Sequence, residues 1–396
     1  MIEQFVKMLR IFGSASIKCD NYDCLHDINV DAIIDCACKQ GIWTVIYPAI
    51  KHLPQAQKYH MFFLKSVSDS VRQNEYTLGV IEKMQMDGFN VCLLKGVVVA
   101  SLYPNPECRI SSDTDILIKP SDESRVMKWL LKNGYNVTPR RKNEHHFVAI
   151  HPVGGILEVH TLMYGKVTDR VIFAKSLSFE EPWREITLSG KKFYTLGIND
   201  NLKYLTAHYI KHFIQGEASV RQMMDLLLYI KNYESQIDFE AYNQMLRDLR
   251  YFDLIESVKT IGALYFGLDF PVENKKLAQK LLDDCERFGA FGANSKIKGD
   301  YYNQFCMERN EMSKFKLKSY RLFNDELTLF NKIFPRKPEL LKRGYKYASH
   351  TLLIPVAWIN NIFDYIFKRR KTTKQNFSSQ LLKERQKLMQ ELNMIN

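Results

Sequence analysis

No uninterrupted apolar run in this chain reaches the roughly 18 residues that a membrane-spanning helix requires, so no membrane span is expected. The opening stretch, MIEQFVKMLRIFGSAS, carries a glutamate and too short an apolar segment to read as a secretory leader. Cysteine is present eight times but builds no framework. Cys36 and Cys38 are separated by one residue, Cys19 and Cys24 by four, and neither spacing comes with the histidine partner of a zinc site. Scattered thiols fit a reducing, cytoplasmic compartment better than a disulfide scaffold. Internal repeats and low-complexity segments are also missing, which sets aside solenoids and fibrous arrays.

What is present is an ordinary globular composition, 46% hydrophobic and 25% charged over 396 residues, with a length that suits roughly two or three domains. The net charge of +12 attracts phosphates, nucleic acid or anionic lipid. Much of it falls late, as in Lys368-Arg369-Arg370-Lys371. That placement favours a local basic tail over a nucleic-acid groove, and no specific nucleic-acid partner is expected.

Apolar periodicity predicts helices across 27–87, with Ile33, Ile34, Ile42, Val45 and Ile46 at turn spacing and a second helix from about 57 to 86, closed by Gly88. The pattern then changes. Short strands are expected at 90–94, 114–118, 135–137, 146–150, 156–162, 183–188 and 191–194, with helices at 96–102 and 123–132 between them. Gly154-Gly155 suits a hairpin turn. After Leu196 helical spacing returns, at 199–214, 219–233, 239–249 and 254–265. The fold class is therefore α/β (α+β), a mixed sheet core flanked by helical bundles. The expected domains are a helical region at 1–88, an α/β core at 89–197, a helical domain at 198–340 and an amphipathic, basic tail at 341–396.

The chemistry concentrates in the α/β core. On a strand, Asp113 and Asp115 point to one face. Two adjacent carboxylates repel unless a cation lies between them or one is protonated. Mg²⁺ suits such a site, because it takes a few carboxylate oxygens together with substrate phosphates. A third acid, Glu158, sits between apolar neighbours in Gly155-Ile156-Leu157-Glu158-Val159-His160, and His160 shares its face. Upstream, Lys95-Gly96 lies between a strand and a helix, where backbone N–H groups and an ammonium can approach an anion.

These residues in this order resemble the nucleotidyltransferase superfamily that includes DNA polymerase beta and the aminoglycoside nucleotidyltransferases. Within it the chain is most similar to a bacterial branch, the uncharacterised nucleotidyltransferase family. The matching positions are Leu94-Lys95-Gly96, Tyr103-Pro104, Arg109, Asp113-Thr114-Asp115, His146, Glu158-Val159-His160, Ala207-His208, Lys211-His212, and Arg221 with Asp225. The resemblance covers about residues 30–235. The chain departs from the wider superfamily by having Lys95-Gly96 where Gly-Ser or Gly-Gly is usual, and by the 16 residues between Gly96 and Asp113. The resemblance implies a nucleotidyltransferase-like core and Mg²⁺-dependent transfer of a nucleotidyl group from an NTP, with two ions expected and Mn²⁺ as an alternative. Asp113, Asp115 and Glu158 would be catalytic and metal-binding. Lys95, Gly96, Arg109, His160, Arg221 and Asp225 would bind the nucleotide. The acceptor is left open among a small molecule, a glycan precursor and a protein. A non-catalytic scaffold of the same fold, binding a nucleotide or a partner, is the alternative.

Plainer readings stand beside these. Asp113 and Asp115 could end a strand in solvent, His160 could serve a backbone carbonyl, and His146 could belong to a polar loop. His208 and His212, four apart, suit a structural or substrate-lining role better than a metal pair. Arg221 and Asp225, also four apart, read equally as an intrahelical ion pair or as a carboxylate orienting an arginine toward phosphate. In the tail, Trp358, Ile359, Ile362, Phe363, Ile366 and Phe367 gather on one side of a helix just before the basic run. That helix packs on the protein or lies on an anionic membrane surface, which would make the protein membrane-peripheral. The last stretch, 378–396, is expected to be a fraying charged helix.

Overall fold

The computed structural model describes residues 2–17, 27–139, 145–164, 173, 177–289, 305 and 378–395. The chain divides into two compact units, one of residues 1–301 with 388–395, the other of 302–387 with 396. The amphipathic segment at 345–371 and its basic run lie outside the described residues. Among the described residues, no helix is long and apolar enough to cross a membrane.

The first unit opens with helices α1 (Ile2–Ser16), α2 (Val30–Gln40), α3 (Trp43–Ile50) and α4 (His60–Met86). Gly41, in a left-handed conformation at φ 69°, ends α2 and separates it from α3. The sequence pattern ran across that break, because Ile42, Val45 and Ile46 continue the apolar spacing on the far side.

The sheet follows, with β1 (Val91–Leu94), the short helix α5 (Gly96–Ala100), β2 (Asp113–Ile118), α6 (Glu123–Lys132), β3 (Asn136–Thr138), β4 (His146–His151), β5 (Gly155–His160), β6 (Arg184–Leu188) and β7 (Lys191–Thr195). Seven strands pair in the order β3-β4-β5-β2-β1-β7-β6. The pairs β2–β5 and β1–β7 are parallel, and the other neighbours are antiparallel. The expected hairpin joins β4 to β5, where His151 pairs with Gly155 and Gly155 takes φ 68°.

Strand alternation separates two faces of this sheet. Ile116, Ile118, Leu157, Val159, Phe147 and Ala149 join an apolar core with Leu78, Ile81 and Met84 of α4 and Val126 and Leu130 of α6. The intervening positions of β2 and β5 carry the acids. They cannot turn into the apolar layer without a one-residue register slip that would expose every core side chain.

After the sheet come α7 (Ile198–Gln215), α8 (Val220–Asn232), α9 (Phe239–Asp248), α10 (Phe252–Tyr265) and α11 (Lys275–Phe288). Helix α1 packs on α2, α3 and α10, and α11 packs on α2 and α10. Phe12 and Phe266 meet edge to face, with ring centroids 5.7 Å apart. The N-terminal helices and those after the sheet thus share one apolar layer. A last helix, α12, spans Ser378–Glu391. Its end does not fray as expected, because Leu388, Met389, Leu392, Met394 and Ile395 are buried and Arg250 donates to the carbonyls of Asn393 and Ile395.

Candidate active site

Parallel pairing of β2 with β5 sets Asp115 directly beside Glu158 and Asp113 beside Ile156. Asp113, Asp115, Glu158 and His160 therefore share one face, and β4 adds His146 opposite His160. Asp115 is 1% exposed. Its Oδ1 lies 3.0 Å from His160 Nε2 and its Oδ2 lies 3.2 Å from the Lys95 ammonium, an ion pair without hydrogen-bond alignment. Burial pushes the Asp115 carboxyl upward, but Lys95 and His160 outweigh it and hold the group well below the usual carboxylate range. Glu158 behaves oppositely. Burial, then the neighbouring Asp115 charge, push it up to about 7. Its Oε2 is 3.8 Å from Nε2 of both His146 and His160. Asp113, at the start of β2, accepts the Ser111 hydroxyl at 3.1 Å.

Lys95 follows β1, whose Leu94 pairs with Asp115, so strand pairing delivers the lysine to the acids. Its backbone takes φ 26° and that of Gly96 φ 42°. A tight turn of this kind favours glycine. The ammonium also lies 2.9 Å from His208 Nε2. Burial, reinforced by Lys95, holds His208 well below the ordinary histidine range, so the neutral imidazole accepts from the lysine. His212 follows 3.3 Å away and contacts Glu217 at 2.8 Å. A polar chain thus runs from Glu217 through α7 to Asp115. His208 and His212 contact each other, Lys95 and Glu217.

Arg221 and Asp225 do not pair with each other, which corrects both readings of their four-residue spacing. Asp225 instead holds Arg109 from across the chain, with Nε–Oδ1 at 3.2 Å and Nη2–Oδ2 at 2.5 Å, and takes the Tyr103 hydroxyl at 2.8 Å. Arg221 donates to the Ile110 carbonyl at 3.1 Å. Asp225 is therefore committed to positioning Arg109. The two arginines keep donors in hand, since Arg109 Nη1 and Arg221 Nε are buried without hydrogen-bond partners. Asp113 favours the charge on both guanidiniums.

Three further groups enter the site, of which only Lys211 stood among the matched positions, with no role assigned to it. Lys211 sits in the field of Glu158 and Asp115, and burial lowers its pKa. Its signal was a lysine inside the apolar stripe of α7. Tyr204 is buried beside the same acids. His145 directly precedes β4, and its ring and that of His146 lie close to His160, at centroid distances of 5.2 and 5.1 Å.

The donor set fits a divalent cation. One ligand atom each from Asp115, Glu158 and His160 lie within 4.8 Å of one another. Asp115 Oδ2 is buried without a hydrogen-bond partner, and the adjacent carboxyl resists ionising unless positive charge arrives. Asp113 lies outside that close group, on the same face one pleat away.

A family profile described as uncharacterised nucleotidyltransferase matches residues 26–267. The chain belongs to this family. The uncharacterised nucleotidyltransferase match spans the sheet, the acids and α7 to α10, so the whole candidate site falls inside it. No curated protein matches the chain. Among solved structures, it is similar to the lincosamide antibiotic adenylyltransferase LnuA with lincomycin bound, at 16% identity and a TM-score of 0.24, over 35% of this chain and 91% of that one.

Proposed function

We propose that this nucleotidyltransferase-family protein transfers a nucleotidyl group from an NTP to a hydroxyl-bearing acceptor, with Mg²⁺ held by Asp115 and Glu158 and assisted by Asp113. The observation that carries the reading is the β2–β5 register, which sets two half- to fully buried carboxylates side by side with a third on the same face. When bound, the cation supplies charge neutralisation at the phosphates and at the reacting oxygens.

The rest falls to the chain's own residues. Lys95 presents its ammonium beside Asp115, where it can pass to a phosphate oxygen once that carboxylate is otherwise neutralised. The unpartnered N–H groups of Arg109 and Arg221 suit the charge that builds on departing pyrophosphate. Asp225 and Tyr103 hold Arg109 in place, and His208 holds Lys95. The acceptor oxygen bonds to the α-phosphorus, the bond to pyrophosphate breaks, and Glu158 receives the hydroxyl proton. The acceptor is a small molecule, a glycan precursor or a protein side chain.

Calorimetry with each NTP, with and without Mg²⁺, tests this on the wild type and on an Asp113→Asn/Asp115→Asn variant. Metal-dependent binding lost in the variant is expected, followed by pyrophosphate release once an acceptor is supplied. Absence of Mg²⁺-dependent binding for every NTP would overturn the reading and leave the scaffold alternative.

A further inference from the structure

The second observation at this face concerns nitrogen ligands. His145, His146 and His160 each offer a ring nitrogen within 4.8 Å of the other two. His146 Nδ1 and His145 Nε2 are already 3.4 Å apart. That is close to the edge of a tetrahedron with metal–nitrogen bonds of about 2.0–2.1 Å, roughly 3.3 Å. The three ring centroids are separated by 4.7, 5.2 and 5.1 Å, so small side-chain rotations bring the set to bonding distance.

His160 is prepared for such a role. It is 3% exposed, its Nε2 faces Asp115 Oδ1 at 3.0 Å, and its Nδ1 is buried with no hydrogen-bond partner. A carboxylate that takes one imidazole N–H leaves the other nitrogen with its lone pair available, the usual arrangement behind a metal-ligating histidine. A buried lone pair without a donor is otherwise a cost with no return. Negative charge stands beside the rings, with Asp115 Oδ1 3.0 Å and Glu158 Oε2 3.8 Å from His160 Nε2.

We infer that His145, His146 and His160 form a binding site for a borderline first-row transition-metal ion such as Zn²⁺, adjoining the acidic pair through the His160–Asp115 contact. A donor set of imidazoles selects zinc, cobalt, nickel or copper over Mg²⁺, which prefers oxygen. The site stands independently of nucleotidyl transfer. Asp115 would act on it as the outer carboxylate that orients His160, and occupancy would fix the edge of the carboxylate cluster.

The test uses the full-length protein stripped of metal, titrated with Co²⁺ and followed by visible absorption, then with Zn²⁺ by calorimetry. Wild type is expected to bind one equivalent of Co²⁺ with an intense visible band typical of low coordination number. His145→Ala and His146→Ala are each expected to weaken binding at least tenfold. Their metal-free unfolding midpoints stay near that of the wild type, a fold control that does not depend on nucleotide binding. Glutamine at the same two positions keeps a polar side chain and must show the same loss. Wild-type affinity in either glutamine variant, or no Co²⁺ and Zn²⁺ uptake by the wild type, overturns the inference. NTP binding is measured separately, so its failure and the failure of this site are distinct results.

Discussion

Arg109 shows how a charge can be legible while its partner is not. The sequence marks it within an ordered set of motif residues, but Asp225 lies 116 positions away and has Arg221 as its nearer basic neighbour. Helical spacing reports only contacts three or four residues apart, so it pairs the wrong arginine. The real pair is buried on both sides, with side chains 6% and 9% exposed. Replacing Asp225 by Asn keeps an acceptor for Tyr103 but strands the guanidinium, and urea unfolding should show a loss of about 3–5 kcal/mol. A second prediction concerns Glu158. Its carboxyl rises from an ordinary 4.5 to about 7 on folding, first through burial and then through Asp115. Between those values the folded state holds a proton that the unfolded chain releases. The contribution of Glu158 to stability in the metal-free protein therefore falls as pH rises through that window, while the buried neutral histidines act with the opposite sign. Asp115 acts in a separate window with the opposite sign, since its depressed pKa supports the fold above 3.8 and is lost as pH falls below it. Glu158→Gln removes this contribution, so its urea midpoint should gain on that of the wild type between about pH 5 and about pH 7.5.

At the scale of elements, alternation and punctuation carry most of the information. The acids of β2 and β5 were legible because Asp115 precedes Ile116 and Glu158 lies between Leu157 and Val159, with Asp113 two residues before Asp115 on the same face. What periodicity cannot reveal is that the two strands run parallel and in register, since Asp115 and its partner Glu158 are separated in the sequence by a helix and two further strands. The turn that delivers Lys95 was legible from glycine alone. Gly96 has φ 42° with open space where a Cβ would go, and Gly88, at the end of α4, has φ 81° and is equally open. Alanine at either position should cost about 1–2 kcal/mol from backbone strain, with no steric addition. Only Gly96→Ala moves Lys95, so it alone should weaken Mg²⁺-dependent NTP binding in calorimetry. Equal affinities for the two variants would detach the turn from the site.

For the whole molecule, the ends of the chain matter more than their composition suggests. A charged C-terminal stretch invites the reading of a solvated helix, because Lys383, Glu384, Arg385 and Lys387 fall close together in it. Apolar residues recur at Leu388, Met389, Leu392, Met394 and Ile395, and these are buried within the first unit. Lys280 of α11 pairs with Glu391, and Arg250 grips two terminal carbonyls. The same unit contains α10, which α1 and α11 both contact and whose Leu254, Ile255, Val258 and Ile261 are buried. The terminal segment is thus tied to Arg250, α10 and α11, and α10 packs on α8, the helix that carries Arg221 and Asp225. Leu392→Ala should cost about 2–5 kcal/mol, as for other buried leucines. Removal of 388–396 should lower the unfolding midpoint further and weaken nucleotide binding through loosened helices rather than lost ligands. Thermal unfolding and NTP calorimetry on the same preparations separate these effects. A truncated protein with wild-type stability would show that the terminal residues rest on the unit without supporting it.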